Sequence, residues 1–247
     1  MKIAFMGDLH GNHRYAQKAI HYAANNGADV VIQVGDFGIW SPHNSFVNSV
    51  NEAATRHNLQ VFFVDGNHED HPWLNSQPVR EDGFRVLHDN VAHIPRGTVW
   101  TWDGVTFMGL GGAHSVDRRW RRAGVDWFPE ETLTSGQAFH AGTTPENIDV
   151  MVTHDCPSGV DIPGIAGNPL GFPQAEIDLS EKHRELLGYV VDNLQPKILV
   201  HGHYHVNYDD VRDSTVIKGL DCDGRSLDKN VWLLDTEELR DENGLTR

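Results

Sequence analysis

Five times along this chain a short apolar run stops abruptly and gives way to a small polar cluster, usually beside a glycine. Residues 2–6 run into Gly7-Asp8-Leu9-His10-Gly11, and residues 28–34 into Gly35-Asp36. Residues 60–64 lead to Gly66-Asn67-His68-Glu69, residues 148–153 to His154, and residues 198–200 to His201-Gly202-His203-Tyr204-His205. Near-continuous Val, Ile and Phe runs of this length predict strands covered on both faces. Helical spacing over residues 15–26 and 45–58 fills the first two intervals. The resulting β-α-β-α-β order predicts a parallel sheet with right-handed crossovers. In such sheets, sites form beyond the carboxyl ends of the strands, where loops distant in sequence converge. All five clusters fall there.

The rest of the chain changes character. Short runs at 84–87, 91–94, 98–102 and 105–110, with a turn at Asp103-Gly104, predict antiparallel hairpins. Residues 111–128 form a polar stretch rich in Trp and Arg, predicted as a loop with a short helix. Four prolines and four glycines within 157–173 predict a long irregular loop. A helix is expected over 180–193 with Ser180 as its N-cap, then strands at 211–219 and 231–235. No repeat or linker interrupts the sequence, so one domain over 1–235 with a polar tail at 236–247 is expected.

With 35 acidic against 20 basic side chains, the formal net charge is −15. That balance offers no basic footprint for tight non-specific binding to duplex DNA. No apolar run is long enough for a membrane span. The opening run is too short for a signal peptide, and Cys156 and Cys222 are too few for a disulfide framework. A cytoplasmic protein is expected.

Asp8, His10, Asp36, Asn67, His154, His203 and His205 together offer carboxylate, imidazole and amide oxygen, without thiolate. That mixture suits Mn²⁺ first, with Fe or Zn²⁺ as alternatives. Seven donors exceed what one ion takes from a protein, and two divalent ions sharing a carboxylate fit the count. The ordered blocks Gly-Asp-Leu-His, Gly-Asp, Gly-Asn-His-Glu, His and Gly-His-Tyr-His span residues 7–205, and they resemble the calcineurin-like metallophosphoesterase superfamily. The resemblance implies an α/β fold: a two-sheet β-sandwich flanked by helices, with a dinuclear site at one edge. It assigns Asp8, His10 and His205 to one ion, Asn67, His154 and His203 to the other, and Asp36 to both. It also makes His68 the general acid, protonating the leaving oxygen while a hydroxide held between the ions attacks phosphorus.

The protein phosphatases of that superfamily continue the second block as Gly-Asp-x-Val-Asp-Arg-Gly. Here it reads Gly35-Asp36-Phe37-Gly38-Ile39-Trp40. The Asp that orients the acid histidine and the Arg that clamps a monoester are both missing. A phosphodiesterase of small diesters or nucleotides, cyclic nucleotides among them, is therefore expected. The alternatives are a phosphomonoesterase, a dinucleoside-polyphosphate hydrolase, a nuclease, or a catalytically silent interaction module. No motif ligand is missing, which counts against the silent module.

Substrate contacts are expected from Asn67, His114, Arg118 and Arg121, because arginine recognises phosphate bidentately. Alternatively, the arginines at 118–122 form a solvated face paired with Asp117, Asp126 and Glu130. His201 is expected to be structural. His13, His21, His43, His57, His71, His88, His93, His140 and His183 are expected on the surface or satisfied in the core. Trp40, Trp73, Trp100, Trp102, Trp120 and Trp127 are expected as anchors, and Cys156 as a small buried filler.

Overall fold

The computed structural model describes residues 1–40 and 44–240; His43 and the tail residues 241–247 lie outside them. In chain order the strands are β1 (Lys2–Met6), β2 (Val30–Gln33), β3 (Val61–Phe63), β4 (Arg85–His88), β5 (Val91–His93), β6 (Thr98–Trp102), β7 (Val105–Leu110), β8 (Val150–Thr153), β9 (Ile198–His201), β10 (Tyr208–Arg212), β11 (Thr215–Gly219) and β12 (Val231–Asp235). The helices are α1 (His13–Asn25), α2 (Asn44–His57), α3 (His71–Ser76), α4 (Ser135–Gly142), α5 (Gln174–Leu194) and α6 (Leu227–Asn230). One sheet runs β12-β1-β2-β3-β5-β4 and the other β10-β11-β9-β8-β7-β6. Each has four parallel strands at its centre and one antiparallel strand at each edge.

The continuous apolar runs are explained by which faces they bury. Along β1, Ile3 and Phe5 point between the sheets, while Ala4 and Met6 pack under α1 and α2. Along β8, Val150 and Val152 face the other sheet, and Met151 packs under α4 and α5. Three apolar layers follow: helix–sheet, sheet–sheet and sheet–helix. Burying each such side chain contributes about 1.5–3 kcal/mol. The two-sheet sandwich flanked by helices is thus present.

Several local expectations are corrected. The hairpins β4–β5 and β6–β7 form, but β5 also pairs in parallel with β3 and β7 with β8. The chain therefore changes sheets between them. Helix α5 begins at Gln174 behind Pro173, and Ser180 is buried within it instead of capping it. The expected strand at 211–219 is two strands, β10 and β11, hinged at Asp213, whose φ is +54°. Helix α4 carries a capping box between Thr134 and Gln137, a legible signal that strand patterning overshadowed. Both cysteines are free, and Cys156 is buried. Among the described residues, no helix is long and apolar enough to cross a membrane.

Where the chain changes sheets, Arg96 ties the layers together. Its Nε and Nη2 donate to Asp65 Oδ2 at 2.9 and 2.6 Å, while Nη1 donates to the carbonyl of Thr132 at 2.8 Å. Nη2 also reaches the carbonyls of Glu130 and Glu131, both at 2.9 Å. Burial pushes the Asp65 carboxyl up, but Arg96, His93 and His71 overcome it and hold it well below the usual range.

His71, buried beside this cluster with Nδ1 3.7 Å from Asp65, is pushed down to about 4 by burial, against the pull of Asp65. An unfolded histidine takes its proton near pH 6.5. The neutral folded ring therefore contributes stability that is complete above that pH and is lost as pH falls towards 4. His71→Leu is expected to flatten the decline in urea-unfolding free energy between pH 6.5 and 4 by about 2 kcal/mol. Parallel pH profiles for the variant and wild type would show that His71 titrates equally in both states.

Candidate metal centre

The parallel strands of both sheets deliver their carboxyl ends to one edge of the sandwich. Asp8 and His10 follow β1, Asp36 follows β2, Asn67 and His68 follow β3, His154 follows β8, and His203 and His205 follow β9. All seven sequence-predicted donors come to this edge. Ligand atoms of Asp8, Asp36 and His154 lie within 4.8 Å of one another, as do those of Asp8, His10 and His205. His205 Nε2 is 3.0 Å from Asp8 Oδ2, and His10 Nε2 is 3.6 Å from Asp36 Oδ2. His154 Nε2 is 3.4 Å from Asp36 Oδ1 and 3.1 Å from Asn67 Oδ1. The His203 backbone N–H donates to Asp8 Oδ1 at 3.1 Å, and its ring meets the His154 ring edge-on at 5.0 Å.

The backbone is bent to achieve this. His10, Asp36, His203 and His205 all have positive φ, from 43° to 68°, a region non-glycine residues enter at a cost of about 1–2 kcal/mol each. His203 and His205 are therefore brought inward by left-handed turns after β9 ends, and not by strand alternation. Glycine makes room: a Cβ on Gly202 would overlap the Asp8 carboxylate, and one on Gly66 would overlap that of Asp36.

Asp8 and Asp36 are 0% and 2% exposed. Burial pushes the Asp36 carboxyl up, yet His154, His68 and His10 hold it well below the usual range. The reciprocal effect acts on the imidazoles. Burial lowers all three, but Asp36 and Asp8 carry His154 to about 10 and His10 to about 9, and the bond to Asp8 carries His205 to about 11. Two buried carboxylates so placed attract positive charge. With imidazole nitrogens and the Asn67 amide oxygen around them, the donor set fits divalent ions.

A second tier of contacts fixes the donors, and sequence patterning missed it. His154 Nδ1 faces the Val34 carbonyl at 2.9 Å, turning Nε2 inward. His10 Nδ1 lies 2.8 Å from Asp223 Oδ1, while Asn12 Nδ2 donates to Asp223 Oδ2 at 2.7 Å. The Asp223 N–H donates to the Asp8 carbonyl at 2.8 Å. Asn67 Nδ2 donates to Ser115 Oγ at 2.9 Å, and Ser115 Oγ donates to Glu131 at 2.6 Å. This chain turns the Asn67 oxygen towards His154. Buried Glu69 accepts from the N–H groups of Gly66 and Gly38, joining two site loops. Its place in the Gly-Asn-His-Glu block was the one available signal for these partners.

Of the expected substrate contacts, the structure brings Asn67 and Arg121 to the site. The Arg121 guanidinium lies along the His68 ring edge, with Nη1 2.9 Å from Nδ1 and Nη2 2.6 Å from Nε2, and it pairs with Asp117 at 2.8 Å. His68 Nε2 is 3.8 Å from Asp36 Oδ2. Arg118 and His114 turn instead to Glu176, at 2.6 and 3.0 Å. Trp40, 44% exposed, donates its indole N–H to the His68 carbonyl. His201 is fully buried between the Gly202 carbonyl and Tyr208 Oη.

Asp223→Ala frees the His10 ring and is expected to weaken Mn²⁺ binding about 10–100-fold in a calorimetric titration. Asp223→Asn, which keeps the shape, should lose less. Unchanged affinity in the alanine variant would show that His10 needs no such support.

The family model of calcineurin-like phosphoesterases matches residues 1–207. A solved protein from Thermus thermophilus is similar with a TM-score of 0.55 at 13% identity, covering 90% of this chain and 89% of that one. A dimetal phosphatase from Danio rerio gives 0.50 at 11% identity, over 90% of this chain and 87% of that one. At such identities the likeness shows the fold alone. No match was found among curated protein sequences. With ordered strand-end motifs, a two-sheet fold and a family match over most of its length, this chain belongs to the calcineurin-like phosphoesterase family.

Proposed function

We propose that this family member is a phosphodiesterase of small diesters, cyclic nucleotides among them, working with two divalent ions, Mn²⁺ first. The observation that carries the proposal is the buried Asp8–Asp36 pair ringed by His10, His154 and His205. Asp8, His10 and His205 would hold one ion, Asn67, His154 and His203 the other, and Asp36 would serve both. When bound, such ions neutralise phosphoryl oxygens and activate water as a nucleophile near neutral pH.

The remaining roles belong to side chains at the rim. His68 is tied to the site by its backbone N–H, which donates to Asp36 Oδ1 at 2.9 Å. Its imidazole gives a proton to the departing oxygen. Burial, with Arg121 and His10, outweighs the upward pull of Asp36 and holds that ring's pKa below its usual value. Arg121 offers its guanidinium to a non-bridging phosphoryl oxygen. Because Asp117 neutralises it, Arg121 adds a hydrogen-bonding fork more than net charge, which suits a monoanionic diester. The same residue favours the second reading, a phosphomonoesterase, since it stands where a monoester clamp is useful.

The ratio of kcat/KM for bis-(4-nitrophenyl) phosphate to that for 4-nitrophenyl phosphate, in one buffer with Mn²⁺, decides between them. A diester preference of about tenfold or more is expected, equivalent to about 1.4 kcal/mol in the transition state. A clear monoester preference that Arg121→Ala abolishes would overturn the diesterase proposal and establish the arginine as the clamp.

A further inference from the structure

A cavity of about 290 Å³ opens between the segment holding Arg118 to Leu133 and helix α5. None of the seven candidate metal ligands lines it. Helix α5 presents Leu179, Lys182, His183 and Leu186 to it, the i, i+3, i+4, i+7 spacing of a single helical face. Opposite, Trp127 and Leu133 complete an apolar wall.

Besides the buried Trp127 indole N–H, which has no hydrogen-bond partner among the described residues, two polar groups there are unused. The His183 side chain is 2% exposed, and its Nδ1 is fixed 2.8 Å from Asp155 Oδ2. Its Nε2 has no hydrogen-bond partner among the described residues. A buried ring nitrogen left in that condition calls for an explanation. Lys182, one residue earlier, makes no ion pair among the described residues. The nearby carboxylates are already engaged: Glu176 by Arg118, Arg119 and His114, and Glu131 by Ser115.

We propose that this cavity is a binding site for a small amphipathic acid. The acidic head sits on His183 Nε2 and Lys182, and the apolar body lies against Trp127 and the leucines. With Nδ1–H held by the Asp155 carboxylate, the acid's proton resides on Nε2, and the ring donates from there to the ligand carboxylate. Lys182 then selects the anion over a neutral or cationic ligand with the same body. The volume lies at the small end of ligand pockets, suiting a body of about six to eight carbons.

The test titrates the full chain with hexanoate, 1-hexanol and hexylammonium, following the Trp127 indole resonance in ¹⁵N-labelled protein. Hexanoate should saturate a single site and bind at least about tenfold tighter than hexylammonium, with 1-hexanol between them. Lys182→Glu, an exposed change, should weaken hexanoate about tenfold, and Leu186→Trp should fill the cavity and abolish binding. Equal affinity for the three probes would overturn the proposal. So would hexanoate binding that Lys182→Glu leaves unchanged, or that inorganic phosphate with Mn²⁺ displaces.

Discussion

Two carboxylates, Asp8 and Asp36, are held almost without solvent and with oxygens within 4.8 Å of each other. At an effective dielectric constant of about 20, their mutual repulsion is on the order of 3 kcal/mol. Such a pair is tolerable only in the company of positive charge, and its surroundings are arranged to provide it. Imidazoles approach from both sheets, and four donor residues accept left-handed backbone to do so. Glycines at 66 and 202 leave the space that the carboxylates occupy.

The sandwich explains how residues some 200 positions apart come to share this edge. Each sheet is parallel at its centre, so every central strand exits in the same direction as its neighbours. Beyond the donors, control passes through separate lines of contact. Asp223, beyond the region matched by the family model, steadies His10, while Ser115 and Glu131 steady Asn67. Arg96 anchors the Glu131 segment to Asp65. The general-acid candidate His68 is contacted from a third side by Arg121.

The strand-end clusters were legible because both chemistry and strand packing leave marks in local sequence. A run buried on two faces is apolar throughout, and a donor at its end is conspicuous. Partners such as Asp223 and Ser115 left no comparable mark, because one hydrogen bond across 48 or more positions imposes no pattern nearby. The arginines at 118 and 121 looked equivalent in sequence, and only the turn of the short helix between them separates Glu176 from His68 as their partners. The start of α5 was obscured for a different reason: its first turns bury the polar residues Glu176 and Ser180, so no apolar stripe marks them.

The proposed dependence of the centre on one shared carboxylate is tested most directly by elemental analysis of Asp36→Asn beside wild type, both confirmed folded by circular dichroism. Wild-type protein should carry close to two divalent ions per chain, and Asp36→Asn should lose both together. Wild type saturating at a single ion, or Asp36→Asn retaining two, would contradict a dinuclear centre built around Asp36.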